Sequence, residues 1–322
     1  MKRKISSGAF GTIYEIEGRD NGNKTYALKE LSNINSISKQ RFEREVQILS
    51  ELNHPNIVKI FEWNMAGEPP SFSPYYIMEF LSGGSLRQYI DEKFSTIRSS
   101  INVSGYKDLN LFDKRWTFRT IILPICNALS QAHSSNVFHR DLKPENILFT
   151  NATKSEIKIA DWGLVKGQDY NTNSNNSNNS NNSNHYGNNA DYDNLTIIDK
   201  ESLELTAVVA EGNIGGTPSY CSPEQWFATV HKDAPIDART DIFSIGIIFY
   251  ELMTGRRPPT YDRNNIDVQR PQIDPPSKYN PTISPQLDKC ILKMIELKPE
   301  NRQNSIWDLM SEIEILPDNS LG

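Results

Sequence analysis

The sequence predicts an α+β fold built in two unequal parts. Three observations carry this reading. Strand-like runs of β-branched and aromatic residues crowd the first 80 positions around one amphipathic helix. Beyond them, apolar residues recur mostly at helical spacing. The stretch 242–253 is apolar on all sides, as a helix at the centre of a larger unit would be. The 322 residues suffice for one large domain or two lobes sharing a cleft.

Taken in order, 12–16 and 25–28 read as strands flanking a turn that contains Gly22, with a short strand ahead of them. Residues 38–52 read as a helix, because Phe42, Val46, Leu49 and Leu52 recur at spacings of three and four. The run 75–80 fits a buried strand, and Ser82-Gly83-Gly84 breaks the chain before a helix from 85 to about 92. Residues 94–112, polar and carrying Gly105, read as an irregular insertion. A helix is expected over 116–134, kinked at Pro124. Residues 146–149 and 157–159 suit a short hairpin, and 287–297 and 305–315 amphipathic helices. Trp116, Trp226 and Trp307 are expected in core and groove-wall positions.

Composition removes several classes. With 34 Lys+Arg against 40 Asp+Glu, the formal charge is −6, which argues against a general nucleic-acid binder. The longest apolar run falls well short of the about 20 residues that a membrane span needs. Cys126, Cys221 and Cys290 show no disulfide pattern. Lys2, Arg3 and Lys4 are followed by no apolar run, so no secretory signal is read, and a cytoplasmic or nuclear location is expected. Residues 171–189 are almost all Asn and Ser, a composition expected to be disordered.

Four features in fixed order point to phosphoryl transfer. Ser6-Ser7-Gly8-Ala9-Phe10-Gly11-Thr12-Ile13 lies between two strand signals, where glycines let a backbone lie close over phosphates. Alone, it fits a hairpin turn equally well. Tyr26-Ala27-Leu28-Lys29 ends an apolar strand on an ammonium able to hold phosphates, and Glu45 on the next helix supplies a carboxylate to position it. Alone, Lys29 would be a surface charge. His139-Arg140-Asp141-Leu142-Lys143-Pro144-Glu145-Asn146 puts a carboxylate, a lysine and a carboxamide in one loop before a strand. Asp141 can accept a hydroxyl proton, Lys143 can neutralise phosphoryl charge and Asn146 can bind a metal. Asp161-Trp162-Gly163 follows 157–159 and offers a hard oxygen ligand for Mg²⁺, although alone it would be an Asp-x-Gly turn.

Together these motifs resemble those of the eukaryotic-type protein kinases, over about residues 4–309. The resemblance implies a bilobal α+β kinase fold, with a small β-rich N-lobe (1–78) bearing one regulatory helix, and a larger helical C-lobe (79–322). The hinge would be 79–84, and the insertions 94–112 and 168–200. It implies ATP and Mg²⁺ as cofactors and a protein hydroxyl as acceptor, with neither nucleic acid nor membrane as partner. Residues 6–13, Ala27 and Leu148 would enclose the nucleotide, with Met78 as gatekeeper and Glu79 and Leu81 as hinge contacts. Lys29 would pair with Glu45, Asp141 would be the base, and Asn146 and Asp161 would hold the metal. Glu224 of Ser222-Pro223-Glu224 would pair with Arg302, and Asp241 would anchor the catalytic loop. Lys143 and Thr217 resemble the serine/threonine-specific branch.

Three departures stand out. Ser6 replaces the first glycine, and Trp162 replaces the family's phenylalanine, which packs against the helix carrying Glu45. The segment from Asp161 to Glu224 is far longer than the family's. Arg140 would ordinarily meet a phosphate on that segment. Here Glu211, or a phosphorylated Thr206, is expected to take that place. A pseudokinase that only binds, or a kinase of small molecules, are the rival readings. His54 and His133 are expected to satisfy local hydrogen bonds, and His139 to be a packed residue.

Overall fold

The structure, a computed structural model, describes residues 2–8, 11–18, 24–32, 36–65, 73–100, 112–162, 219–227, 236–259 and 272–315. The first part is a five-stranded antiparallel sheet of β1 (Lys2–Gly8), β2 (Gly11–Glu17), β3 (Thr25–Glu30), β4 (Ile60–Asn64) and β5 (Tyr75–Glu79), in the order β1-β2-β3-β5-β4. Helix α1 (Ser36–Glu51) buries Phe42, Val46, Ile48 and Leu49, and the Phe42 ring lies 5.2 Å from that of Tyr76 on β5.

Two strands depart from expectation. β1 is not short, and its side chains from Arg3 to Gly8 are exposed. Its own pattern signals only a short strand around Ile5; pairing with β2 extends it over Lys2–Gly8, helped by an Arg3–Glu15 ion pair. β4 was not anticipated. It is an edge strand whose register shifts between Ile60 and Glu62, and Phe61, Glu62 and Trp63 are all exposed, which breaks the two-residue alternation.

The second part is mainly helical. Helix α2 (Leu86–Ser100) runs through the start of the stretch read as irregular, so that insertion is helical up to Ser100; residues 101–111 lie outside the described residues, as do 163–218. Phe112 re-enters the core in an aromatic cluster with Tyr89, Trp116 and Phe149, at centroid separations of 5.5 to 6.3 Å. The helix expected over 116–134 is composite. A turn at Lys114–Trp116 leads into a π-helical stretch, Thr117–Ile122, and then α3 (Leu123–Ser134). Pro124 sits in the first turn of α3, where its missing N–H costs nothing, so the break takes the form of a wider turn before it. Strands β6 (Ile147–Phe149) and β7 (Ile157–Ile159) form the expected antiparallel hairpin.

Helix α4 (Pro223–Phe227) is short; the Trp226 side chain lies outside the described residues. In α5 (Ala238–Thr254) every residue from Thr240 to Thr254 is buried. Asp237 caps its start by accepting from Arg239 N–H, and Gly255 ends it in the left-handed conformation. Helices α6 (Pro285–Met294) and α7 (Ile306–Glu314) are capped by Ser284 and Ser305. Trp307 is 70% exposed, correcting its expected core place, because α7 turns Ile306, Leu309 and Ile313 inward instead.

The two parts share one core. It runs from Ala27, Val46 and Met78 through Ile57 and Val58 to Ile157 and Ile159, and on to α5. Backbone bonds stitch the seam: Ile159 N donates to Asn56 O (2.8 Å) and Val58 N to Ile159 O (3.0 Å). At 82–84 the chain lies against β6, with Gly83 N donating to Phe149 O (3.1 Å) and Phe149 N to Gly84 O (2.9 Å). A Cβ on Gly83 would stand 2.4 Å from Asn151 O, so the close approach demands glycine.

Candidate active site

Lys29 ends β3 pointing into the seam, and three groups fix it there. Its Nζ donates to Glu45 Oε1 and Oε2 (2.7 and 2.8 Å) and to Asp161 Oδ1 (3.1 Å). Tyr76 on β5 donates its hydroxyl to Glu45 Oε1 (2.9 Å), and its ring centroid lies 5.7 Å from Lys29 Nζ. Burial would push the Lys29 ammonium down, but Asp161 and Glu45 outweigh it and hold its pKa well above the lysine range. Burial likewise acts to raise Asp161; the Lys29 and Lys143 charges more than offset it and keep the carboxyl ionised below its ordinary range. Tyr76 is a site residue that sequence reasoning missed, since a tyrosine in an apolar strand carries no mark of this role.

The loop 139–146 hangs from α5. Asp241, with no exposure, accepts from His139 N (2.9 Å), Arg140 N (2.8 Å) and His133 Nε2 (2.8 Å). Arg140 is left-handed (φ 63°), as is Asp161 (φ 63°), a conformation that non-glycine residues adopt only when surroundings compel it. Asp141 Oδ2 accepts from Lys143 Nζ (2.6 Å) and Asn146 Nδ2 (3.2 Å), and Asn146 Nδ2 also donates to Asp141 O (2.8 Å). Burial lowers the Lys143 pKa, but Asp141 overrides that and carries it upward. Trp162 is fully buried against the 139–146 loop, its ring 4.7 Å from that of His139, whose Nε2 lies 3.1 Å from Ala160 O.

At the edge of the sheet, β1 and β2 close with Gly8 opposite Gly11; Ala9 and Phe10 lie outside the described residues. Gly11 has φ 152° and lies so close to Glu30 O that a Cβ would stand 2.6 Å away. Ser7 Oγ is 3.1 Å from Thr12 Oγ1, so Ser6 and Ser7 extend a paired strand. Ala27 and Met78 face each other across β3 and β5 and are both buried, while Ile13 and Leu81 pack on the same core and Leu148 pairs with Lys158 in the hairpin. Glu79 N donates to Lys59 O (3.0 Å), and its carboxylate takes Lys59 N (2.7 Å) and Lys158 Nζ (2.8 Å).

At the far end, Glu224 meets Arg302 as a fully buried bidentate pair, Nη1–Oε1 2.7 Å and Nη2–Oε2 2.8 Å. Arg302 also donates to the carbonyls of Arg239, Glu296 and Leu297, and Thr240 donates to Glu224, so neither charge is left uncompensated. Gln225, unforeseen in the sequence, donates to Arg140 O (2.6 Å) and accepts from Ser222 N (3.1 Å), joining this segment to the 139–146 loop. Thr217, Thr206 and Glu211 lie outside the described residues.

Asn146 and Asp161 suit Mg²⁺. The amide nitrogen of Asn146 is committed to Asp141, which leaves its oxygen as the acceptor, and the Asp161 carboxylate is 32% exposed. Among the described residues no cluster of three or more His, Cys, Asp or Glu could cage a metal. Two hard oxygen donors are what a cation sharing its shell with phosphates and water requires. Among the described residues no helix is long and apolar enough to cross a membrane.

A family model of the protein kinase domain matches residues 1–188 and 193–312. The chain is similar to serine/threonine-protein kinase PknB of Mycobacterium tuberculosis, at 30% identity over 85% of this chain and 35% of that protein. It is similar to serine/threonine-protein kinase Pkn1 of Myxococcus xanthus, at 28% identity over 98% of this chain and 38% of that protein. A probable serine/threonine-protein kinase of Corynebacterium efficiens matches at 27% identity, over 88% of this chain and 36% of its own length. The chain thus spans little more than a third of the length of these curated relatives. With the family's domain matched almost from end to end, on a sheet-and-helix architecture that brings its motifs together, the chain belongs to the eukaryotic-type protein kinase superfamily.

Proposed function

We propose that the chain is a protein serine/threonine kinase that transfers the γ-phosphoryl group of ATP to a protein hydroxyl. The observation that carries this is Lys29 bound at once to Glu45 and Asp161, beside a loop that gathers Asp141, Lys143 and Asn146. On this reading the lobes divide at 78/79, with 79–84 as hinge. Adenine lies among Ile13, Ala27 and Leu148 beneath Met78, with Glu79 and Leu81 offering backbone groups. Residues 6–13 cover the phosphates, and Lys29 holds them. Lys143 and Asn146 converge on Asp141 Oδ2, which leaves Oδ1 to accept the substrate proton. The hydroxyl oxygen bonds to the γ-phosphorus, the bond to the β-phosphate oxygen breaks and ADP leaves. Lys143 lies close enough to offset charge on the moving group. Mg²⁺ on Asn146 and Asp161 would supply further neutralisation of phosphate charge when bound. Thr217 is assigned beside Asp141 by resemblance alone.

The test is Mg·ATP-dependent transfer to a degenerate Ser/Thr peptide library. Asp141→Asn should lower kcat about 100- to 10,000-fold, and Lys29→Met should abolish transfer. Wild-type turnover in either variant refutes the role given to that residue. Absence of transfer by the unaltered chain refutes the kinase reading in favour of a binding module.

A further inference from the structure

Residues 219–222 lead into α4 and, on the proposed function, face the acceptor protein. The folded core grips this stretch at several points. Ser244 donates its hydroxyl to Tyr220 O (2.9 Å), and Arg257 Nη1 donates to Ser219 Oγ (2.7 Å). The third grip spans the molecule. Arg87, in the first turn of α2, sends Nη1 to Glu251 Oε1 on α5 (3.0 Å) and to the Tyr220 hydroxyl (3.2 Å). Tyr220 in turn donates to Glu251 Oε2, closing a three-membered ring of partners. Glu251 is 5% exposed and Tyr220 8%, so the ring is nearly dry. Arg87 Nε lies 3.2 Å from the carboxylate of Asp91 on its own helix, an ion pair without a hydrogen bond. None of these residues belongs to the nucleotide or metal machinery described above.

We propose that Arg87 is a positioning residue for the acceptor substrate: through Glu251 and Tyr220 it fixes residues 219–222 against α5. The inference rests on the kinase reading. Its physical basis is that a nearly buried carboxylate needs a cation as well as a hydroxyl. Without Arg87, Glu251 keeps the Tyr220 hydroxyl but lacks the charge that balances it, and the stretch at 219–222 loosens. Arg87 also stands just past the Gly83-Gly84 turn, so the grip on the acceptor side begins beside the backbone that lies along β6. A lysine would keep one charged donor for Glu251 and Tyr220 but lose the Nε that lies beside Asp91.

The test uses the full chain with Arg87→Met and Arg87→Lys, the best peptide from the library and Mg·ATP. Arg87→Met should raise peptide KM by at least about fivefold, with ATP KM within about twofold of wild type, and Arg87→Lys should fall between. Amides at 219–222 should exchange with deuterium faster in Arg87→Met. A peptide KM unchanged in Arg87→Met, or an ATP KM rising in step with it, overturns the proposal. If Arg87→Met does not fold, the same KM split in Arg87→Lys decides. If the unaltered chain transfers no phosphate, the kinase reading fails by itself, and exchange at 219–222 judges Arg87: unchanged rates sink its anchoring role and faster rates uphold it.

Discussion

Removing a carboxylate from water is costly unless its oxygens are fully bonded, and Asp241 shows how the cost is met. Burial pushes its pKa up; the His133 hydrogen bond and charge, His139 and the Arg140 N–H more than offset this and bring it below the ordinary aspartate range. The folded state therefore binds the proton more weakly than the unfolded one. The stabilisation is present above the ordinary aspartate pKa of about 3.9 and is lost as pH falls through the lower folded value. Asp241→Asn should cost about 2–4 kcal/mol at pH 7 and flatten the acid limb of stability, read by urea unfolding at pH 7 and pH 3.5. A wild-type curve at both values rules out the anchoring role. Lys29, Glu45, Asp141, Asn146 and Asp161 were legible because type and spacing mark them jointly. Tyr76, His133 and Gln225 were not, because their roles arise from contacts 31, 108 and 85 positions away in the chain.

Elements differ in how far their own residues determine them. α1 and α5 were readable because burial imposes a pattern, one-sided in the first and all-round in the second. The full length of β1 and the existence of β4 were not, because the first is extended by its neighbour and the second is bulged at an exposed edge. The limits of α2 were misjudged because the polar residues around Phe94 and Ile97 masked the spacing of four and three that these two continue from Ile90. The turn at 82–84 depends on a missing side chain. A Cβ at Gly83 would meet Asn151 O, Phe149 Cβ and Phe149 O at 2.4, 2.5 and 2.6 Å. Gly83→Ala should destabilise by about 1–3 kcal/mol and lower Tm. Pro124→Ala, in a first turn where no N–H is needed, should cost only about 0.4–1 kcal/mol. Equal Tm losses in the two variants would contradict this account.

For the molecule as a whole, the bilobal outline was legible but the depth of the seam was not. Bonds from Asn56 and Val58 to β7, and the core residues Ile57 and Val58, make the sheet part lean on the helical part. Calorimetry should show one unfolding transition for the full chain, and a fragment of residues 1–82 should show no cooperative transition. Two well-separated transitions would mean that the lobes fold independently. The Gln225 bond to the Arg140 carbonyl has a consequence for how such a molecule can vary. That bond, and the one from Arg140 N to Asp241, read the main chain and are indifferent to the side chain at 140. The path of the loop and the charge it displays are thus separable traits: a different side chain that tolerates the left-handed backbone at 140 would leave both bonds in place.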